Sequence, residues 1–204
     1  MNRYLVLSEK KWHKRLFSNL KETFVNDEWF LIDSKSEFTL DNITKINPQK
    51  IFIPHWSYII PGNIFNKFEC IVFHMTDLPY GRGGSPLQNL ILRGHADTVV
   101  SALKCVAELD AGPIFLKAPL SLVGTAQEIF ERADKVIEGM IRSICETEPI
   151  PVPQVGPVTL FRRRLPRESE IPPDLDVKEV FDFIRMLDAD GYPHAFIEFD
   201  GRRL

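Results

Sequence analysis

Short apolar runs alternate with apolar residues at helical spacing through the first half of the chain, which is the pattern of βαβ units and a mainly parallel sheet. Tyr4 to Leu7 reads as the first strand. Trp12, Leu16, Phe17, Leu20 and Phe24 then recur at helical spacing and form one stripe fit to lie on a sheet. Glu28 to Ile32 and Lys50 to Ile53 read as further strands, and Pro61 to Phe65 has proline where a helix begins. Cys70 to Phe73 is a continuous apolar run suited to a buried central strand, with His74 at its carboxyl end. A helix is predicted from Pro86 to Leu92. Thr98 to Leu109 and Ile114 to Leu120 read as the arms of a hairpin closed by Asp110-Ala111-Gly112-Pro113.

Thr125-Ala126-Gln127-Glu128 matches a capping box ahead of a long amphipathic helix carrying Ile129, Phe130, Ala133, Val136, Ile137, Met140, Ile141 and Ile144. From Pro149 to Pro173 the chain is proline-rich and basic, and reads as an extended crossover or linker. A last helix follows, with Val177, Val180, Phe181, Ile184 and Leu187 on one face and Gly191 as its stop, and then a strand from Ala195 to Phe199. The expected division is a core over 1–148 and a crossover with a small helix and strand extension over 149–204.

The 204 residues suffice for a buried core, and a net charge of −3 gives no general attraction for polyanions, so nucleic acid is not an expected partner. Cys70, Cys105 and Cys145 are odd in number and have no metal-binding spacing, which argues against a disulfide framework and against a zinc site. No metal is expected, and a reducing cytoplasm is the expected location. No run approaches the roughly 20 apolar residues that span a bilayer, so no membrane partner is expected. The sequence carries no mark of oligomeric state.

The candidate chemistry gathers around His74. Ligands of open α/β sheets bind beyond the carboxyl ends of the strands, and a glycine-rich loop follows this histidine. Asp110 lies further on in a tight turn. A histidine titrates near neutrality, and a carboxylate beside it orients the ring. By pattern alone the pair reads first as a satisfied core histidine and a turn former.

The wording of the two segments goes further. His74-Met75-Thr76-Asp77-Leu78-Pro79, then Gly81-Arg82-Gly83-Gly84-Ser85-Pro86, then Leu109-Asp110-Ala111-Gly112, resembles in order and separation the signature loops of the formyltetrahydrofolate-dependent formyltransferases. The likeness extends from about Ile51 to Ile141. It is greatest to small sugar N-formyltransferases of the pseudaminic acid biosynthesis type and to formylation domains of nonribosomal peptide synthetases. The resemblance implies an α/β, Rossmann-like core with a mainly parallel twisted sheet and 10-formyltetrahydrofolate as cosubstrate. It implies catalytic roles for His74 and Asp110, and a folate site formed by Leu78, Pro79, Arg82, Gly83, Gly84 and Ala107 to Asp110, including Glu108 and Leu109. His55, Trp56, Thr76, Asp77, Phe161 and Arg163 are the candidates for contact with the acceptor.

One position departs from the family pattern. Asparagine is usual two residues before the histidine, and Val72 stands there. His55 or an ordered water are the alternatives for the missing amide. Methionyl-tRNA formyltransferases carry an additional C-terminal domain that this length is not expected to hold. Glycinamide ribonucleotide formyltransferases have a glycine-rich loop where Ser8 to Arg15 has no glycine. The expected acceptor is therefore a nucleotide-linked amino sugar such as a UDP-4-amino-4,6-dideoxy sugar. An aminoacyl group on a carrier protein and a catalytically impaired folate-binding module are the alternatives. Lys10, Lys11, Lys14 and Arg15 read first as a solvated helix face and only second as phosphate contacts, and the run Arg162-Arg163-Arg164 reads as a solvated basic linker or as phosphate contacts.

Overall fold

The first strand, β1 (Arg3–Ser8), has Leu5, Val6 and Leu7 wholly enclosed, so it lies inside a sheet covered on both faces. In the computed structural model, which describes residues 1–204, the chain continues through α1 (His13–Thr23), β2 (Glu28–Ile32), α2 (Leu40–Ile46), β3 (Lys50–His55), α3 (Gly62–Phe65) and β4 (Glu69–His74). These four strands are parallel, in spatial order β2, β1, β3, β4. After β5 (Arg82–Gly83) and α4 (Pro86–Leu92), the hairpin of β6 (Asp97–Lys104) and β7 (Ile114–Ser121) joins antiparallel beside β4 and completes six strands.

Strand alternation divides the interior in two. Tyr4, Val6, Phe52, Ile71 and Phe73 face a core shared with Leu16 and Leu20 of α1 and with the long helix α5 (Ala126–Thr147). Leu5, Leu7, Ile51, Ile53 and Cys70 face the other way, against Ile43 of α2 and Ile64 of α3. The architecture is α/β, a sheet between helical layers.

The expected cap of α5 is present: Thr125 Oγ1 accepts from the Glu128 N–H at 3.3 Å while Glu128 Oε2 accepts from the Thr125 N–H at 2.8 Å. Three expectations need correction. The strand expected to run to Leu109 ends at Lys104, because residues 105–113 leave the ladder to form a loop closed by the Lys104 N–H on the Pro113 carbonyl. The last helix, α6 (Val177–Arg185), ends six residues before Gly191, which instead sits with φ +75° in a separate turn. The strand expected over Ala195 to Phe199 is only β9 (Glu198–Phe199), paired with β10 (Arg202–Arg203) across Asp200-Gly201, both with positive φ.

Residues 149–165 do more than connect. Within them β8 (Leu160–Phe161) pairs in parallel with β5, and the Gly81 and Arg82 N–H groups both donate to the Thr159 carbonyl. A 3₁₀ turn, Pro166–Ser169, leads to α6, whose Phe183, with Met186, Leu187 and Ala189 beyond it, joins the larger core. No helix is long and apolar enough to cross a membrane.

Candidate active site

His74 ends β4, and register pairs it with Ser101 of β6 and leaves it about 7% exposed. Its Nε2 lies 2.8 Å from the Gly81 carbonyl. A carbonyl only accepts, so Nε2 carries the hydrogen and Nδ1 is the ring atom left to take up a proton. Nδ1 faces Asp110 Oδ2 at 3.6 Å. That is beyond a hydrogen bond, yet a small rotation or a bridging N–H of a bound substrate closes it.

Asp110 comes from the loop after β6 and adopts φ +53°, an unfavourable conformation for a residue with a side chain. Its Oδ2 also accepts from the Gly83 N–H at 2.9 Å, so the carboxylate ties together the two signature loops. Gly83, at φ +111°, is pressed against β8: a Cβ there would stand 2.3 Å from the Phe161 carbonyl oxygen.

The remaining sequence candidates divide by position. Leu78 is enclosed with Leu103 and Ile114, and the peptide bond between Leu78 and Pro79 is cis. Arg82 pairs with Glu108 at 2.9 Å, while Ala107, Glu108 and Leu109 form an exposed lip. Thr76 is fully buried, and its carbonyl accepts from Ser101 Oγ at 2.7 Å. Phe161 is also buried, between the Arg93 guanidinium and Tyr80. The structure therefore corrects the acceptor contacts expected of Thr76 and Phe161: both side chains are enclosed and brace the loop from behind. Asp77 is exposed and paired with Lys117 at 2.5 Å.

The strand order reverses between β1 and β3, which makes the crevice beyond their carboxyl ends the switch point of the sheet. Ser8 pairs with His55 there. Because Val72 pairs with Ile53, His55 and His74 stand two residues on at the ends of adjacent strands. Val72 packs among Leu78, Leu103 and Ile114, so no amide occupies that position. His55 is pushed down to about 4, first by burial and then by Lys10 and Arg163. Trp56, next to it, packs on Phe38 and Tyr58 and keeps a buried Nε1 with no partner.

Lys10 is the exception in its basic run. It is half-buried, with Nζ 4.6 Å from the Tyr192 ring centre and 5.2 Å from that of Trp12, while Lys11, Lys14 and Arg15 are exposed. Among the three consecutive arginines, Arg162 pairs with Glu168 and Arg164 donates to the Glu168 carbonyl. Arg163, exposed and lying against Gly84, makes no such pair.

Beneath this crevice lies a buried chain that the sequence reading missed. The Lys10 N–H donates to Ser8 Oγ at 3.1 Å, Ser8 Oγ lies 2.5 Å from His13 Nδ1, and His13 Nε2 lies 3.4 Å from Asp134 Oδ1. Burial favours the neutral form of both ionisable groups, pushing His13 down to about 3 and Asp134 up to about 7. With its folded value above the unfolded one, Asp134 contributes stability below about pH 4 that is lost as pH rises through about 7. His13 acts in the opposite sense, losing stability as pH falls from about 6.5 towards 3. Asp134→Asn is expected to stabilise the protein by about 1 kcal/mol at about pH 8, after discounting for partial exposure, and much less at about pH 5. Thermal melts at the two pH values check this; an equal shift at both would reject it.

Comparison with known proteins adds to this geometry. A structure named methionyl-tRNA formyltransferase from Clostridium thermocellum is 46% identical, with a TM-score of 0.97, over 100% of this chain and 90% of that one. The chain belongs to the formyltransferase family. Residues 166–204 match the family described as methionyl-tRNA formyltransferase, C-terminal domain. This segment is the part of the chain that carries the likeness to that domain. A methionyl-tRNA formyltransferase of Rickettsia bellii is 30% identical over 141 residues, 66% of this chain and 46% of its own length. The chain thus spans about half the length of the first curated relatives it matches. A sugar N-formyltransferase from Shewanella sp. shares the fold, with a TM-score of 0.75 at 15% identity over 100% of this chain and 96% of that one. Within the formyltransferase family fold, His74, Asp110 and the glycine loop sit together at the carboxyl edge of the sheet.

Proposed function

We propose that this chain transfers the formyl group of 10-formyltetrahydrofolate to the primary amine of a nucleotide-linked amino sugar. The observation that carries the reading is the enclosed His74 and Asp110 pair, tied to the glycine loop and flanked by the cations of the switch-point crevice.

In the reaction the acceptor nitrogen attacks the formyl carbon and forms a C–N bond, while the carbonyl oxygen becomes an oxyanion. The nitrogen gives up a proton, which the facing pair of His74 Nδ1 and Asp110 Oδ2 would take. Collapse breaks the bond from the formyl carbon to the folate nitrogen, which takes a proton, so the products are the N-formyl acceptor and tetrahydrofolate. Folate would lie along Arg82 to Gly84 and the lip from Ala107 to Asp110, where glycine permits close approach. Lys10, held over two aromatic rings, and the unpaired Arg163 suit an acceptor bearing phosphate.

A second reading, formylation of an aminoacyl-tRNA, is favoured by the 46% identical structure bearing the methionyl-tRNA formyltransferase name and by the match over residues 166–204. The test is to incubate the protein with 10-formyltetrahydrofolate and, in parallel, UDP-4-amino-4,6-dideoxy sugars and methionyl-tRNA, following tetrahydrofolate release and the formyl mass gain. Formylation of a sugar alone supports the first reading. Formylation of the tRNA alone replaces it with the second.

A further inference from the structure

One side-chain amide in the crossover makes four hydrogen bonds beside the candidate pair. Gln154 Oε1 accepts from Arg82 Nε at 3.1 Å and from Arg82 Nη2 at 2.9 Å. Its Nε2 donates to the Asp110 carbonyl at 2.8 Å and to the Gly112 carbonyl at 2.9 Å. Both of its ends are used in full. The segment that carries it is itself fixed, because Val152 and Ile114 exchange backbone hydrogen bonds at 2.8 and 2.9 Å.

We infer that Gln154 is a positioning residue for formyl transfer, holding Asp110 in its left-handed turn and setting the distance from Asp110 to His74. This rests on the proposed formyl transfer for its kinetic consequence but not for its structural one. Three features point the same way. Asp110 at φ +53° leans against its intrinsic preference, so an outside group must hold it. The two carbonyls that Gln154 grips bracket the turn on either side of Ala111. The same amide orients Arg82, whose next residue donates its N–H to the Asp110 carboxylate. Gln154 therefore secures both ends of the contact between the signature loops without a hydrogen bond to His74.

Two variants separate its two sides. Gln154→Glu keeps an acceptor for Arg82 and removes both donors to the turn; Gln154→Ala removes everything. With 10-formyltetrahydrofolate and the acceptor formylated by the native protein, both variants are expected to lower kcat by about 100-fold, as misplacement of a reacting group does. The KM of the acceptor should stay within about threefold, since the side-chain hydrogen bonds of Gln154 go to Arg82, Asp110 and Gly112 and to none of Lys10, His55 and Arg163. A readout that needs no turnover is the Gly83 amide in proton–nitrogen spectra, which reports its bond to Asp110. Its resonance should move in both variants, while amides of β1 and β3 stay in place. If kcat and the Gly83 amide are both unchanged in Gln154→Glu, the inference is overturned. If the native protein formylates nothing yet the Gly83 amide moves, the proposed function fails while the positioning of Asp110 stands. If the amide stays and KM rises alone, Gln154 serves binding and the inference is overturned.

Discussion

Replacing His74 with alanine is expected to lower kcat for formyl transfer by about 1000-fold while leaving the fold intact. Its Nε2–H is committed to the Gly81 carbonyl, and its Nδ1 is the ring nitrogen facing Asp110, so no neighbouring group duplicates its place. The loss falls on kcat because an interaction made at proton transfer contributes little to ground-state binding. Asp110→Asn keeps the shape and removes the charge, and alone is expected to lower kcat by about 100-fold or less, with a double variant no worse than His74→Ala by more than a small factor. Kinetics of the three proteins on the acceptor identified as above check this. Additive losses would mean that the two residues act separately and that their approach at 3.6 Å is incidental.

Gly112→Ala is expected to destabilise the protein by about 3 kcal/mol and to remove most activity with it. A Cβ at this position would stand 1.7 Å from the Lys104 carbonyl oxygen and 2.9 Å from its carbon. Both are backbone atoms of β6, so neither can swing aside as a side chain would. The turn must deform, taking the Asp110 carboxylate away from Gly83 and His74. Gly94→Ala is the contrast, since Gly94 has positive φ at +77°, which Gly112 does not, and has no atom near its missing Cβ. That variant should lose only about 1 kcal/mol, from backbone conformation alone. Urea unfolding of both variants separates the terms; equal losses would show that crowding at Gly112 is relieved cheaply.

What the sequence made legible was whatever has a local signal. The bounds predicted for β2 and α4 are those observed, and the capping box at Thr125 lies where its motif put it. His74 and Asp110 were singled out by motif order, and folding brings them within 3.6 Å. Helix α2 escaped notice because only Ile43 of its seven residues is buried, too few for a stripe, although Thr39 caps it from outside. The closing hairpin carries a signal of its own in Asp200-Gly201, both at positive φ. Gln154 had none. Its bonds to Arg82 cross 72 residues of sequence, and β8 is only two residues long, so no periodicity marks the crossover as part of the site. Lys10 stood within a run of exposed cations, and only the aromatic rings brought to it from Trp12 and Tyr192 set it apart.

The ties between the 82–84 loop, the Asp110 turn and residues 154–163 also set a timetable. A ribosome delivers His74 and then Asp110 well before Gln154 and Phe161, so during synthesis the two loops exist without the strand and the amide that hold them. The nascent chain is therefore expected to have its parallel sheet before it has assembled the proposed proton-transfer pair. Enzymatic competence should arrive late and abruptly, once the crossover has emerged and closed over loops made earlier.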